Sequence, residues 1–200
     1  YSAYEQSCQS HLFIDYVKGF YAVLDRLKTK YPHLPMMLCA GGGGRTDYEA
    51  LRYFTEFWAS DNTDPIDRLY IQWGYSYLFP AKTICSHVTA WNKKVDIKFK
   101  IDVAMMGKMG FDLNFSTLSK PDAEFCKYAV QTYNGIKDII FEGNLYRLVS
   151  PYNNTHTASM FIDNASKRAV VFAFDIFPRY SKTAPQPLRL QGLQAAKMYR

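Results

Sequence analysis

Pro35 to Pro65 reads PMMLCAGGGGRTDYEALRYFTEFWASDNTDP, and the fold follows from how its pieces alternate. Leu34 to Cys39 is a short apolar run without polar alternation, which suits a strand buried on both faces in a parallel sheet. Four glycines, Gly41 to Gly44, follow it. Asp47 to Tyr53 is predicted as a short helix, with Asp47 as its N-cap. Glu56 to Ala59 is a second short strand that runs out at Ser60-Asp61. Asp64-Pro65 then opens a helix, with Asp64 in the capping position and proline at the first helical residue. Strand, helix, strand and helix in this order make parallel βα units.

The same rhythm extends both ways. Upstream, His11 to Lys30 has helical period, with Leu12, Tyr16, Phe20, Val23, Leu24 and Leu27 on one face and Asp15, Lys18, Asp25 and Lys28 on the other; Pro32 stops it. Downstream, Ile66, Leu69, Tyr70, Trp73 and Tyr77 give an apolar helix face, with Trp73 in the core. Thr83 to Val88 is a third strand, Ile97 to Met109 a helix and Phe111 to Phe115 a fourth strand. Ser119-Lys120-Pro121-Asp122 opens a final helix that runs to about Lys137. After Phe141 the pattern changes. Leu145–Val149, Ala158–Ile162, Ala169–Ile176 and Leu188–Leu190 read as short strands, separated by turns such as Asn153-Asn154 and Asp163-Asn164. This is an all-β second domain, which places residues 1–141 in the α/β part and 142–200 in the β part.

The 200 residues are 48% hydrophobic and 16% aromatic, a core-forming composition with apolar runs too short and too broken by charge to span a membrane. The net charge of +6 is spread along the chain; its densest cluster, Lys93-Lys94 with Lys98 and Lys100, reads as a solvated helix face. No basic tract or nucleic-acid motif accompanies it, so neither nucleic acid nor membrane is an expected partner. Cys8, Cys39, Cys85 and Cys126 form no CxxC pair, which argues against zinc. They read as free thiols, which favour a reducing, cytoplasmic compartment; a periplasmic or secreted location stays open. The chain opens Tyr1-Ser2-Ala3, not with Met, so a piece of a longer protein is expected. Three Asn-X-Ser/Thr triplets, at Asn114, Asn153 and Asn164, are read as chance matches.

The glycines fit neither phosphate-binding pattern. A Walker loop ends in Gly-Lys-Ser/Thr, whereas Gly44 precedes Arg45-Thr46, and the dinucleotide fingerprint begun at Gly41 meets Thr46 at its third position. A tight turn needing positive φ explains one or two glycines; four suggest that something approaches the backbone closely. In a parallel βα barrel the chemistry lies at the C-terminal ends of the strands. Cys39-Ala40-Gly41-Gly42 and Ser60-Asp61 stand at such ends on consecutive strands, so they border one pocket. Bare backbone beside a carboxylate, with the aromatic Trp58 just before it, suits a polyhydroxylated ligand. Taken alone, Asp61 also reads as an ordinary cap of the next helix. His87 ends the third strand on the same face, either lining the pocket or making a structural hydrogen bond. Asp64 and Arg68 read as cap and helix surface.

CAGGGGRTDYEAL, then FWASDNTDPIDRLYIQWGYSYLFP, then CSHVT resemble, in order, glycoside hydrolase family 36, the bacterial-type α-galactosidases. The resemblance covers essentially the whole chain. It implies the second half of a (β/α)8 TIM barrel followed by the start of an antiparallel all-β C-terminal domain. It also implies a retaining double displacement by two aspartates, with Asp61 as acid/base and Cys39 and Gly42 in contact with the sugar. The family's nucleophile lies in a Lys-Trp-Asp motif; none occurs here, so it is expected a little upstream of Tyr1. No metal or organic cofactor is implied. The implied partner is a terminal α-galactoside, and the full-length protein is expected to be a homo-oligomer. Three alternatives stay open: an α-N-acetylgalactosaminidase, a raffinose synthase-like galactosyltransferase, or a non-catalytic sugar-binding piece.

Overall fold

The computed structural model describes residues 5–165, 167–176 and 187–199. Helix α1, Leu12–Lys30, follows a 3₁₀ turn at Gln6–His11. Strands β1, Met37–Leu38, and β2, Glu56–Trp58, flank the glycine loop and a 3₁₀ turn at Glu49–Arg52. Then come α2 (Pro65–Tyr75), β3 (Ile84–Thr89), α3 (Ile97–Met105), β4 (Lys108–Asp112) and α4 (Lys120–Glu142). The four strands form one parallel sheet in the order β1-β2-β3-β4, the neighbour-to-neighbour order that short connections favour. β5 (Asn144–Val149), β6 (His156–Ile162) and β7 (Ala169–Asp175) make a separate antiparallel sheet.

Local chemistry sets the helix starts. Asp64 Oδ1 accepts from the Ile66 and Asp67 N–H groups at 2.8 and 3.3 Å, with Pro65 at the first helical position. Asp96 caps α3 through the Phe99 N–H at 2.7 Å, and Ser119 caps α4 through the Asp122 N–H at 3.2 Å. Such caps satisfy donors that the helix itself leaves unpaired.

Two clusters of buried side chains hold these elements. Leu24, Leu38, Ala50, Tyr53, Phe54, Phe57 and Phe79 pack α1 and the glycine-loop segment against β1 and β2. The larger cluster runs from Leu69, Val88 and Ile101 through Cys126 and Ile140 to Phe161, Phe172 and Phe174, so both sheets share it. α4 and β5 are joined through Gly143 alone, where a Cβ would fall 2.3 Å from both the Ile139 and the Ile162 carbonyl oxygens. Across the same seam Arg147 Nε donates to Ser76 Oγ at 2.8 Å and its guanidinium lies 4.1 Å from the Tyr77 ring centroid.

Several expected boundaries move. Only Met37 and Leu38 of the run from Leu34 pair with β2, because the chain leaves the sheet at once for the glycine turn. The turn after Asp47 is 3₁₀, though Asp47 still accepts the Ala50 N–H at 2.9 Å. α3 stops at Met105 and β4 starts at Lys108: Gly107, whose Cβ would lie 2.7 Å from the Ile84 carbonyl oxygen, lets the chain pass tightly under β3. α4 continues past Lys137 because Ile139 and Ile140 keep its apolar face buried as far as Gly143. Residues 188–190 form no strand; Pro187 beside them has no N–H to give a ladder. Tyr77 lies beyond α2 and is exposed. On α1 only Leu24 is buried. Phe13, Ile14, Tyr16, Val17, Val23 and Leu27 are exposed, so its apolar residues cover more of the helix than the neighbouring strands bury. Among the described residues no helix is long and apolar enough to cross a membrane, and all four cysteines are free.

Candidate active site

The C-terminal ends of β1, β2 and β3 gather the side chains singled out by the sequence. Past Leu38 the Ala40 N–H donates to the Gly42 carbonyl at 2.9 Å, and the Gly43 N–H crosses to the Ala59 carbonyl at 3.1 Å. Gly41 and Gly42 have φ of +60° and +83°. A Cβ on Gly42 would lie 2.8 Å from Ser60 Cα and 3.4 Å from the Asp61 nitrogen; one on Gly43 would collide with the Tyr75 hydroxyl. The loop therefore lies flat against the backbone that carries Ser60 and Asp61. The turn requires its positive φ values, and the close approach requires the missing side chains.

Asp61 does not cap the next helix. That position belongs to Asp64, whose Oδ2 also accepts from Asn92 Nδ2 at 2.8 Å. Asp61 is exposed, and its Oδ1 accepts a hydrogen bond from Trp58 Nε1 at 3.0 Å. The Trp58 ring meets His87 edge-on, with centroids 4.8 Å apart. His87 lies over Gly110, where a Cβ would come within 2.7 Å of the imidazole. Burial pushes the His87 pKa down, with Asp112 opposing, so the ring is held toward its neutral form. Cys39 is an exposed free thiol beside this loop.

Deeper along the strands Glu56 and Lys108 pair at 2.9 Å, and Cys85 Sγ stands 3.5 Å from Met37 Sδ. Burial, with Glu56 adding to it, pushes the Cys85 thiol up to about 12, so it stays protonated and unreactive. Met37, Glu56, Cys85, His87 and Lys108 border an open cavity of about 520 Å³. Among the described residues no group of three or more His, Cys, Asp or Glu stands close enough to hold a metal ion. The lysine cluster is divided: Lys98 pairs with Asp102, while Lys100 holds the carbonyls of Thr89 and Trp91.

Arg68 is not on the helix surface. It is 2% exposed, and its guanidinium lies 4.8 Å from the Trp58 ring centroid. The spacing holds a signal for this: four and seven residues on, Gln72 and Tyr75 share its helix face, and Gln72 is buried against Ser86 and Val103.

Family models match both parts of the chain. The Melibiase family model matches residues 1–143, and the model of the glycosyl hydrolase family 36 C-terminal domain matches residues 156–200. The chain belongs to glycoside hydrolase family 36. Relatives include alpha-galactosidase AgaA of Geobacillus stearothermophilus, 32% identical over 92% of this chain and 26% of that protein, and alpha-galactosidase 2 of Hypocrea jecorina, 34% identical over 92% and 26%. The crystal structure of an AgaA variant in complex with raffinose superimposes with a TM-score of 0.88 at 33% identity, covering 96% of this chain and 27% of that one. The family 36 chain thus spans about a quarter of the length of the relatives it matches. Its parallel sheet with flanking helices is the second half of a (β/α)8 barrel, and its antiparallel sheet belongs to the C-terminal domain.

Proposed function

We propose that this chain is part of a retaining α-galactosidase, that Asp61 is its general acid/base, and that the nucleophilic aspartate comes from a barrel strand preceding Tyr1. One observation supports this reading above the others. Asp64 takes the capping work, which leaves Asp61 as an exposed carboxylate held by Trp58 beside the Gly42 backbone. Its Oδ2, with no hydrogen-bond partner among the described residues, can give a proton to the leaving glycosidic oxygen and, in the second step, take one from water. Cys39, the Gly42 backbone, Trp58 and His87 line the galactose side of the pocket, with His87 neutral at pH 7. Residues 1–141 supply barrel and 142–200 the start of the C-terminal domain, in a homo-oligomeric full-length enzyme. The test is Asp61→Asn in that enzyme. Turnover of raffinose should fall by about 10²–10⁴-fold, the usual worth of general acid help. A 2,4-dinitrophenyl α-galactoside, whose leaving group needs no proton, should be cleaved in the first step with far less loss. Equal large losses on both substrates in a folded variant would show that Asp61 is not the acid.

A further inference from the structure

We infer that Arg68 is a positioning residue for the acid/base: its buried guanidinium holds the Trp58 indole, and the indole holds Asp61 with Oδ2 toward the substrate. This rests on Asp61 being the acid. The guanidinium is buried, and none of its three nitrogens finds an acceptor among the described residues. Enclosing an unpaired cation costs several kcal/mol, a burden that Met or Leu at the same helix position would avoid. What it meets instead is the Trp58 ring face at 4.8 Å, an attraction that strengthens when water is excluded. Burial pulls its pKa down, and Cys85, Tyr75 and Asp61 are the groups that oppose this.

The chemistry of the next link is one-sided. An indole N–H donates and never accepts. Oδ1 of Asp61 is therefore always the acceptor of the 3.0 Å bond, and the transferable proton belongs on Oδ2. The indole is held between Arg68 on its face and His87 at 4.8 Å. Other charged or titratable groups act at one remove: Glu56 and Asp112 on His87, Lys108 through its pair with Glu56, and Cys85 and Tyr75 on Arg68. Asp64 is committed to its cap and to Asn92. Without the guanidinium the indole can tilt, and a shift of about 1 Å in a catalytic group is worth about 10²-fold in rate.

The experiment uses the full-length enzyme with Arg68→Met, Arg68→Lys, Trp58→Phe, Asp61→Asn and the double variant Arg68→Met/Trp58→Phe, assayed on raffinose and on 2,4-dinitrophenyl α-galactoside. Arg68→Met should lower kcat on raffinose by about 10²-fold, with KM little changed, and lower cleavage of the dinitrophenyl substrate by only a few fold. Arg68→Lys keeps a cation over the ring face and should recover part of the lost kcat. The double variant should be no worse than Trp58→Phe. Equal losses on both substrates, no recovery in Arg68→Lys, or additive losses in the double variant would reduce Arg68 to packing and overturn the proposal. If Arg68→Met does not fold, Arg68→Lys alone and combined with Trp58→Phe gives the same substrate split and the same additivity test. A split for Asp61→Asn with none for the Arg68 variants refutes positioning alone; no split for Asp61→Asn removes the acid assignment and this inference together.

Discussion

Replacing Gly42 by alanine adds one methyl group at the point where the glycine loop touches the backbone of the segment that carries Asp61. The new Cβ would stand 2.8 Å from Ser60 Cα and 3.4 Å from the Ala59 carbonyl oxygen and the Asp61 nitrogen. Carbon atoms rest about 3.5–4.0 Å apart, so loop and Ser60 must separate by about 0.7 Å or more, with no flexible side chain to absorb it. Holding alanine at a φ of +83° costs about 1–2 kcal/mol, and overpacking adds about 1–3 kcal/mol. The rate penalty should be larger than the stability loss suggests. Asp61, the proposed acid, is bonded directly to Ser60, and a catalytic group misplaced by about 1 Å loses about 10²-fold. Gly41→Ala is the matched control. Its φ is +60°, and nothing lies within 4 Å of its Cβ, so it should lose only the backbone term of about 1–2 kcal/mol and keep nearly all activity. The assay is kcat/KM on raffinose alongside urea unfolding of both full-length variants. If Gly42→Ala keeps activity within a few fold, or if both variants lose equally, the glycines serve turn geometry and not access to Asp61.

Three further outcomes follow from other parts of the chain. Cys39, an exposed free thiol proposed to line the galactose pocket, should react with a maleimide at a rate that saturating galactose slows; labelling indifferent to galactose would remove it from the pocket. Residues 1–200 alone should hydrolyse no aryl α-galactoside and should self-associate in light scattering, because β1 and β4 are open sheet edges and α1 exposes Phe13, Ile14 and Val17; an active monomer would refute this. His87 is held below its ordinary pKa of 6.5, so the unfolded chain binds its proton first. The stability it contributes is complete above pH 6.5 and is lost as pH falls below that value. In His87→Asn the decline in unfolding midpoint below pH 6.5 should be shallower, and a decline identical to that of the parent would contradict the shift.

The sequence carried the parallel βα order because caps and apolar periods agree at Asp64-Pro65, Asp96 and Ser119, where local chemistry alone starts a helix. It misplaced β4 because Met105 to Met109 continue the helical apolar period, and only the close pass of Gly107 under Ile84 ends it. Trp58 and Asp61 were legible at the end of β2, since parallel order puts neighbouring strand ends together; His87 was expected to end the third strand, but β3 continues through Val88 and Thr89, both paired with β4. Arg68 was not: a charged residue in a first helical turn ordinarily faces water, and its burial depends on Trp58 reaching it from a different element. The uncovered part of α1 was hidden for the opposite reason, because periodicity tells which residues are apolar and not how much neighbouring surface is there to bury them.

The seam at Gly143 also bears on how the molecule can move and come apart. A single residue pressed between two carbonyl oxygens offers none of the dihedral slack from which hinges are made, and Phe161, Phe172 and Phe174 lock into the same core as Ile101 and Ile140. The antiparallel sheet therefore moves with α3 and α4 as one body. A protease should find no cleavable tether between Glu142 and Asn144, and the two sheets should melt in one transition, so the change from parallel to antiparallel sheet is not a boundary between units of unfolding.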